Sequence, residues 1–155
     1  MLQENRLEVI MRITDLLKRD SVLLDASPSD KKTALNCAIS LMVQGGNIKN
    51  VEEYTKQVFA REEESTTGIG EGIAIPHGKC AGVSEPGLAA MVIPGGVDFD
   101  SLDGAPVHLL FLIAAPNTKD NVHLDVLSKL SMMLMDETFT NSLKAAKTVD
   151  EFLQI

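Results

Sequence analysis

Apolar residues recur at the three- and four-residue spacing of amphipathic helices in four segments of the chain. In the first, Ser27 can cap a helix with Pro28 at its first position, and Gly45–Gly46 ends it. Asp30 then falls in the first turn, where the helix dipole favours an acid. The other three helices are indicated by the pair Asn50 and Glu53, the pair Thr148 and Glu151, and a leucine stripe between Asn121 and Met135.

Four shorter segments are aliphatic or β-branched and are bounded by Gly, Pro or Asp, which predicts strands. The last is apolar at nearly every position, so we expect a strand that is covered on both faces. Because helices and strands alternate, the predicted fold class is α/β, a single-domain sandwich with helices packed on both faces of a mixed β-sheet. We place this domain at residues 11–155, after an N-terminal extension of residues 1–10. The predicted strands are Ser21–Leu24, Ile73–Ile75, Leu88–Ile93 and Val107–Ala115.

Composition and charge exclude several classes of protein. The net charge of -8 argues against a nucleic-acid partner, because a polyanion would be repelled. Cys37 and Cys80 lack CxxC spacing and follow no secretion signal, which predicts reduced thiols in a cytoplasmic protein. The apolar runs are far shorter than a membrane span, so we expect no direct membrane insertion.

Nucleotide and metal motifs do not fit this chain. A phosphate-binding loop requires four residues between its glycines, whereas five residues separate Gly72 from Gly78. The glycine spacing of the dinucleotide fingerprint fails as well. No HExxH or paired Cys/His spacing predicts a metal site. We therefore expect a protein that uses no cofactor and no metal.

The segment TTGIGEGIAIPHGK, residues 66–79, places a histidine at the end of a predicted buried strand. A neutral imidazole is a competent nucleophile or base at neutral pH. Pro76 stiffens the backbone that enters His77, and Gly78 would let the chain turn away and a large group approach. The preceding glycines would let backbone N–H groups reach an anion. These features favour a rigid, exposed, reactive His77; the alternative is a surface histidine in a strand-ending turn.

This region resembles the enzyme IIA domain, fructose/mannitol class, of the bacterial sugar phosphotransferase system. The family signature begins with an acid or amide, here Glu62. An aliphatic and a small residue follow at Ile69 and Gly70, and the run Ile73–Gly78 completes it. The segments FAREEE, GVDFDSLDGAPVHLLFLIAAP and HLDVLSKLS also resemble the family, so the likeness covers nearly the whole chain from Met11.

The resemblance implies a phosphocarrier that needs no metal or nucleotide. His77 would accept a phosphoryl group from the phosphocarrier protein HPr, usually on Nε2, during fructose- or mannitol-type sugar uptake. It would then pass the group to a cysteine of an enzyme IIB domain, either separate or fused as IIB/IIC. The alternative is a nitrogen-type regulatory enzyme IIA, which shares the pattern and whose phosphorylation state controls its binding to partner proteins.

Four other side chains are candidates for the same site. Arg61 matches an active-site arginine of the family and could offer a bidentate fork to phosphate, or be a solvated arginine among acidic neighbours. His123 begins a helix, where a neutral imidazole could donate to phosphate or be a satisfied core histidine. Thr66 and Thr67 could donate hydroxyls to the phosphoryl group or be plain strand-edge threonines. His108 matches no role in the family and is predicted to be structural.

Overall fold

The computed structural model describes residues 16–117 and 122–154, without the side chains of Val122, His123 and Gln154. In these residues the chain forms six strands and five helices. The strands are β1 (Leu17–Leu23), β2 (Gly68–Gly70), β3 (Ile73–Ala74), β4 (His77–Cys80), β5 (Gly87–Val97) and β6 (Val107–Pro116). The helices are α1 (Lys31–Gln44), α2 (Val51–Glu64), α3 (Val122–Met133), α4 (Glu137–Ala145) and α5 (Val149–Gln154). No helix within the described ranges has the length and apolarity needed to cross a membrane.

The strands form one mixed sheet in the order β1-β5-β6-β3-β2. The pairs β5–β6 and β2–β3 are antiparallel, whereas β1 runs parallel to β5. Both β3 and β4 pair in parallel with β6, β3 at Leu109–Leu110 and β4 at Ile113–Pro116. Strand β4 therefore continues along the edge of β6 that β3 occupies, and the chain leaves and re-enters the sheet between Ala74 and His77.

Alternate residues of β6 face two separate hydrophobic clusters. Leu110 and Leu112 belong to a cluster with α1 and α2. Leu109 and Phe111 belong to a second cluster with α3, α4 and α5. Because successive side chains of a strand point to opposite faces, a strand covered on both sides must be apolar at nearly every position. The predicted α/β sandwich, with helices on both faces of a mixed sheet, is confirmed.

The first helix starts later than predicted. Asp30, rather than Ser27, caps α1, and its carboxylate accepts the Thr33 N–H at 2.8 Å. Pro28 consequently lies outside the helix. The predicted start is wrong because Asp30 is as good a cap as serine and stands directly before the apolar run. The end is as predicted, since the Gly45 N–H closes the last turn on α1 carbonyls.

The other predicted helices are present, and a further helix was not predicted. The predicted caps of α2 and α5 form: the Asn50 side chain accepts the Glu53 N–H, and the Thr148 hydroxyl accepts the Glu151 N–H, both at 3.1 Å. Helix α3 lies within the predicted range. The unpredicted helix is α4, which Asp136 caps by accepting the Thr138 N–H at 2.9 Å.

Strands β2 and β4 were not predicted, and β1 is longer than predicted. Both missed strands are short and contain glycine, which has a low strand propensity. Strand β1 begins at Leu17 and continues through three exposed polar residues, Lys18, Arg19 and Asp20. At the end of the sheet order only one edge of β1 is paired in the described structure, so its polar side chains can face solvent.

Gly78 is buried against α2 instead of forming a turn. A Cβ at this position would lie 2.9 Å from Val58 Cγ2 and 3.1 Å from Tyr54 Cε1. The Tyr54 hydroxyl donates to the carbonyl of Ile113 at 2.8 Å, and Ile113 is the register partner of His77. The prediction that the chain turns away at Gly78 is therefore wrong, because the glycine lets α2 approach the backbone of β4 closely.

Replacing Gly78 with alanine should lower the free energy of unfolding by about 1–3 kcal/mol, because the added methyl group overlaps a packed interface. Urea denaturation measures the change. Gly95→Ala is the matched control, since nothing lies within 4 Å of a Cβ at that position and its φ is outside the left-handed region. We expect a change within about 0.5 kcal/mol for the control. Equal losses in the two variants would contradict the close packing of β4 on α2.

Candidate functional site

His77 opens strand β4 at the point where the chain re-enters the sheet. The Ile113 N–H donates to the carbonyl of Pro76 at 3.0 Å, so the residue before His77 is tied to β6. Proline has no N–H to donate, which places the break in strand pairing directly before the histidine. The side chain is half-buried. The predicted rigid position is thus provided by strand pairing, and the expectation of an exposed side chain is corrected.

The imidazole of His77 has a defined tautomer. Its Nδ1 lies 3.1 Å from the carbonyl oxygen of Ile75. A carbonyl can only accept a hydrogen bond, so Nδ1 carries the proton and donates it. In the neutral ring the lone pair then belongs to Nε2. The backbone therefore determines which nitrogen can act as a nucleophile.

The environment of His77 favours the neutral ring. Burial is the main cause that lowers its pKa, and the nearby Arg61 guanidinium lowers it further. The hydrogen bond to the Ile75 carbonyl and the carboxylates of Glu62 and Glu64 act in the opposite direction, but the net pKa is below that of a free histidine. An imidazole that stays neutral near pH 7 keeps the lone pair that nucleophilic attack requires.

Arg61 lies in the last turn of α2 and closes that end of the helix. Its Nη1 donates to the carbonyl of Ser65 at 3.0 Å and to the Ser65 hydroxyl at 3.4 Å. A cation at a helix C-terminus is favoured by the helix dipole. Because the guanidinium also lowers the pKa of His77, its charge acts at the histidine. Arg61 thus has a backbone acceptor at the end of α2, and its membership of one site with His77 stays a prediction that this electrostatic effect supports.

The hydroxyls of Thr66 and Thr67 already have acceptors. Thr66 Oγ1 donates to the carbonyl of Phe99 at 2.8 Å, and Thr67 Oγ1 donates to a carboxylate oxygen of Glu62 at 2.7 Å. Each hydroxyl has one proton, so donation to a phosphate would require exchange of these bonds. Their phosphate-binding role stays a prediction, whereas their contribution to the shape of the loop is visible directly.

The glycine-rich segment before His77 forms the β2–β3 hairpin. Glu71 and Gly72 have φ values of 59° and 77°, which suits the primed turns that join antiparallel strands. A Cβ on Gly70 would lie 3.2 Å from Asp103 Oδ2, and the same oxygen accepts the Glu71 N–H at 3.0 Å. We expected backbone N–H groups of this segment to meet an anion. In the structure, the anion that the Glu71 N–H meets is the carboxylate of Asp103.

The other two histidines lie on α3 and on β6. His123 lies in the first turn of α3, but its side chain is outside the described part of the structure, so its role stays a prediction. His108 lies on β6 with its Nδ1 3.0 Å from the carbonyl of Ile93. Its ring also packs where a Cβ on Gly96 would stand, 2.9 Å from His108 Cε1, which fits the structural role predicted for it. Across residues 16–117 and 122–154, no cluster of three or more His, Cys, Asp or Glu side chains could hold a metal ion.

Tyr54 and Glu62 support the site through partners that the sequence did not reveal. Tyr54 is the only tyrosine of the chain and lies four residues before Val58 on the buried side of α2, so its spacing indicated burial but no partner. Glu62 matched a signature position, yet it stands beside two exposed glutamates, and nothing local distinguishes a buried acid from them. Its partner Lys31 is distant in sequence and close only in the fold.

The family model and the similar proteins that match this chain agree with one another. The family model described as "Phosphoenolpyruvate-dependent sugar phosphotransferase system, EIIA 2" matches residues 15–155. The fructose-specific EIIABC component of Bacillus subtilis is 39% identical over 145 residues, which cover 94% of this chain and 23% of that protein. The chain therefore spans about a quarter of that relative.

Two solved structures share the fold over most of their length. Nitrogen regulatory protein IIA-Ntr from Neisseria meningitidis superposes with a TM-score of 0.85 at 31% identity, covering 92% of this chain and 97% of that one. The complex of enzyme IIA and phosphorylated enzyme IIB for mannitol from Escherichia coli contains a chain that superposes with a TM-score of 0.77 at 29% identity. That match covers 90% of this chain and 96% of the other.

The pKa of His77 should lie below the ordinary value of about 6.5, because burial disfavours the imidazolium. An NMR titration of the ring protons, assigned with His77→Ala, measures its midpoint. Arg61→Ala should raise the midpoint, since it removes a nearby positive charge. Arg19→Ala removes the same charge from an exposed arginine paired with Asp150 and should leave the midpoint unchanged.

The same shift has a consequence for stability with a defined sign. The folded protein binds this proton less tightly than the unfolded chain. The contribution of His77 to the free energy of unfolding therefore falls as the pH drops below about 6.5, and it levels off below the pKa of the folded protein. In the NMR titration, a wild-type midpoint of His77 at or above that of a free histidine would contradict the burial assigned to the ring.

Proposed function

This chain belongs to the EIIA 2 family of the phosphoenolpyruvate-dependent sugar phosphotransferase system, and on that premise we propose that His77 is its phosphoryl acceptor. The observation that carries the proposal is the hydrogen bond from Nδ1 to the Ile75 carbonyl. It leaves the Nε2 lone pair as the nucleophile of a ring whose lowered pKa keeps it neutral. The donor is phosphorylated HPr, and the recipient is a cysteine of an enzyme IIB domain.

The transfer is balanced without water or metal. The Nε2 lone pair attacks phosphorus as the N–P bond of the donor phosphohistidine breaks and its electron pair returns to the donor ring. The phosphorylated ring of His77 keeps its Nδ1 proton, and the Ile75 carbonyl stabilises the positive charge that develops on it. In the second step a cysteine thiolate of the IIB domain attacks phosphorus, an S–P bond forms, and the electron pair of the N–P bond returns to Nε2.

Arg61 provides the charge that this reaction needs. Phosphoryl transfer depends mainly on positioning and on stabilisation of charge on the equatorial oxygens. The guanidinium is already within electrostatic reach of His77 and uses Nη1 for Ser65. We assign His123 as a second donor to the phosphoryl group, on the basis of its place in the first turn of α3. Thr66 and Thr67 are weaker candidates, since both hydroxyls would first have to exchange their acceptors.

An enzyme IIB domain as partner is supported by the mannitol complex, in which a related IIA chain is bound to phosphorylated IIB. The name of the B. subtilis relative joins A, B and C components in one protein, so the IIB domain is either fused or separate. We propose that the protein is cytoplasmic and serves fructose- or mannitol-type sugar uptake. The functional unit is residues 11–155, with residues 1–10 as an extension.

Regulation is the second candidate function. The nitrogen regulatory protein of Pseudomonas aeruginosa is 32% identical over 94% of this chain and 95% of its own length, and the N. meningitidis structure belongs to a protein of the same name. In this reading His77 is phosphorylated in the same way, but the phosphorylation state controls binding to partner proteins. The active-site geometry is common to both readings, so only the recipient of the phosphoryl group separates them.

Incubation with enzyme I, HPr and labelled phosphoenolpyruvate should give an acid-labile phosphate on the wild-type protein and none on His77→Ala. His108→Ala is the matched control, because this histidine lies on the same sheet and takes no part in the reaction. Arg61→Ala should slow labelling by about 10²–10³-fold, the usual loss when one preorganised charge donor is removed. Comparable labelling of His77→Ala would show that another residue is the acceptor.

The two candidate functions predict different fates for the phosphoryl group. The labelled protein should transfer its phosphate to the cysteine of a purified fructose-type IIB domain, and a Cys→Ala variant of that domain should receive none. Label that stays on His77 in the presence of fructose- and mannitol-type IIB domains would instead favour the regulatory function.

A further inference from the structure

Glu62 is a buried carboxylate with three donors. Its side chain is only 5% exposed. One oxygen accepts the Thr67 N–H at 2.9 Å and lies 3.0 Å from Lys31 Nζ, and the other accepts the Thr67 hydroxyl at 2.7 Å. A carboxylate removed from water is tolerated only when charged and hydrogen-bonding partners replace the water. These three donors supply that replacement and join α1, α2 and the loop that follows α2.

A second set of contacts fixes the same loop. The Lys31 ammonium lies 4.8 Å from the centre of the Phe99 ring, in the position of a cation–π contact. The carbonyl of Phe99 accepts the Thr66 hydroxyl. The loop is therefore attached at two successive residues, Thr67 to Glu62 and Thr66 to Phe99, and Lys31 contacts both attachment points.

This loop provides the acceptor for the Arg61 guanidinium. Arg61 donates to the carbonyl and hydroxyl of Ser65, the residue directly before Thr66. Since the residues after Ser65 are tied down, the carbonyl of Ser65 has a fixed place relative to the end of α2. Arg61 and Glu62 are adjacent in sequence, and both bind the loop after α2: Arg61 donates to Ser65, and Glu62 accepts from Thr67.

We propose that Glu62 is a positioning residue for Arg61: its buried carboxylate fixes the loop at Thr67, and the loop in turn holds the guanidinium where it meets a phosphoryl group on His77. This inference rests on the phosphocarrier function proposed above. It gives the buried acid a role in transfer that differs from a general contribution to folding.

Glu62→Gln tests the role with little change in shape. The glutamine removes the negative charge that binds Lys31, and its NH2 group can meet the Thr67 hydroxyl only by reversing that hydrogen bond, so the attachment of the loop is weakened. We expect single-turnover transfer from phosphorylated HPr to slow by about ten- to a hundredfold, the range that misplacement of a catalytic group produces. The matched control is Glu63→Gln, the same charge change at the next position, where the side chain is exposed; its rate should stay within about twofold.

A double-mutant cycle with Arg61→Ala separates positioning from general damage. If Glu62 acts through the guanidinium, Glu62→Gln should change the rate by less than about twofold once Arg61 is alanine. If the two losses multiply instead, Glu62 acts independently of Arg61 and the proposal is overturned. Should Glu62→Gln lack a cooperative unfolding transition, Thr67→Val is used in the same cycle, because it removes the hydroxyl that donates to Glu62 and preserves the side-chain shape.

The midpoint of the His77 titration supplies a readout that needs no partner protein. In the wild type, Arg61→Ala should shift this midpoint upward; in the Glu62→Gln background the shift should disappear, since the displaced guanidinium no longer acts on the charge of the imidazole. An undiminished shift would contradict the positioning role. Absence of labelling in the wild type would contradict the phosphocarrier function, while this titration would still decide the role of Glu62.

Discussion

The site depends on the way in which Ile113 of β6 is hydrogen-bonded on both of its backbone groups. Its N–H donates to the carbonyl of Pro76, and its carbonyl accepts the hydroxyl of Tyr54. The first bond defines where β4 joins the sheet, and the second connects that point to α2. The imidazole of His77 therefore projects from a strand fixed by the core, which is a more precise support for a reactive group than a loop.

An acidic protein has to make room for a phosphoryl group that carries close to two negative charges. Two carboxylates, one at the end of α2 and one against the β2–β3 hairpin, are already engaged by donors of the protein itself. Glu62 is satisfied by Thr67 and Lys31, and Asp103 accepts backbone N–H bonds from Ala105 and Glu71 that lower its pKa. The Arg61 guanidinium opposes the repulsion that remains, since it lowers the pKa of His77 while the carboxylates of Glu62 and Glu64 raise it.

The sequence predicted those features of the fold that hydrophobic periodicity and helix capping determine. The fold class, the two-sided burial of β6 and the helix caps at Asn50 and Thr148 followed from local patterns, whereas the role of His77, which its neighbours and the resemblance both suggested, stays a prediction. The role of Gly78 did not follow, because close approach to Tyr54 depends on the packing of a helix whose position no local pattern records. The partners of Thr66 and Thr67 were missed for a related reason.

The partner of Thr66 and the lysine that pairs with Glu62 lie on segments that meet only in the folded chain. Phe99 follows Thr66 by 33 positions, and Lys31 reaches the Glu62 carboxylate from another helix. Strand β2 (Gly68–Gly70) has only three residues, two of them glycine, so it carries too few side chains for an alternating pattern to be recognised. What the sequence could not predict was therefore the set of contacts between distant segments, and with it the polar framework behind the histidine.

The division of the interior into two hydrophobic layers has an evolutionary consequence. The sheet separates the layer under α1 and α2 from the layer under α3, α4 and α5, and the two clusters share no side chain. Substitutions in the second layer can therefore accumulate without disturbing Tyr54 or the glycine beneath it. Divergence among descendants of this chain should therefore be least constrained under α4 and α5, since Ile75 and Ile113 of the same layer support His77 and α3 carries His123.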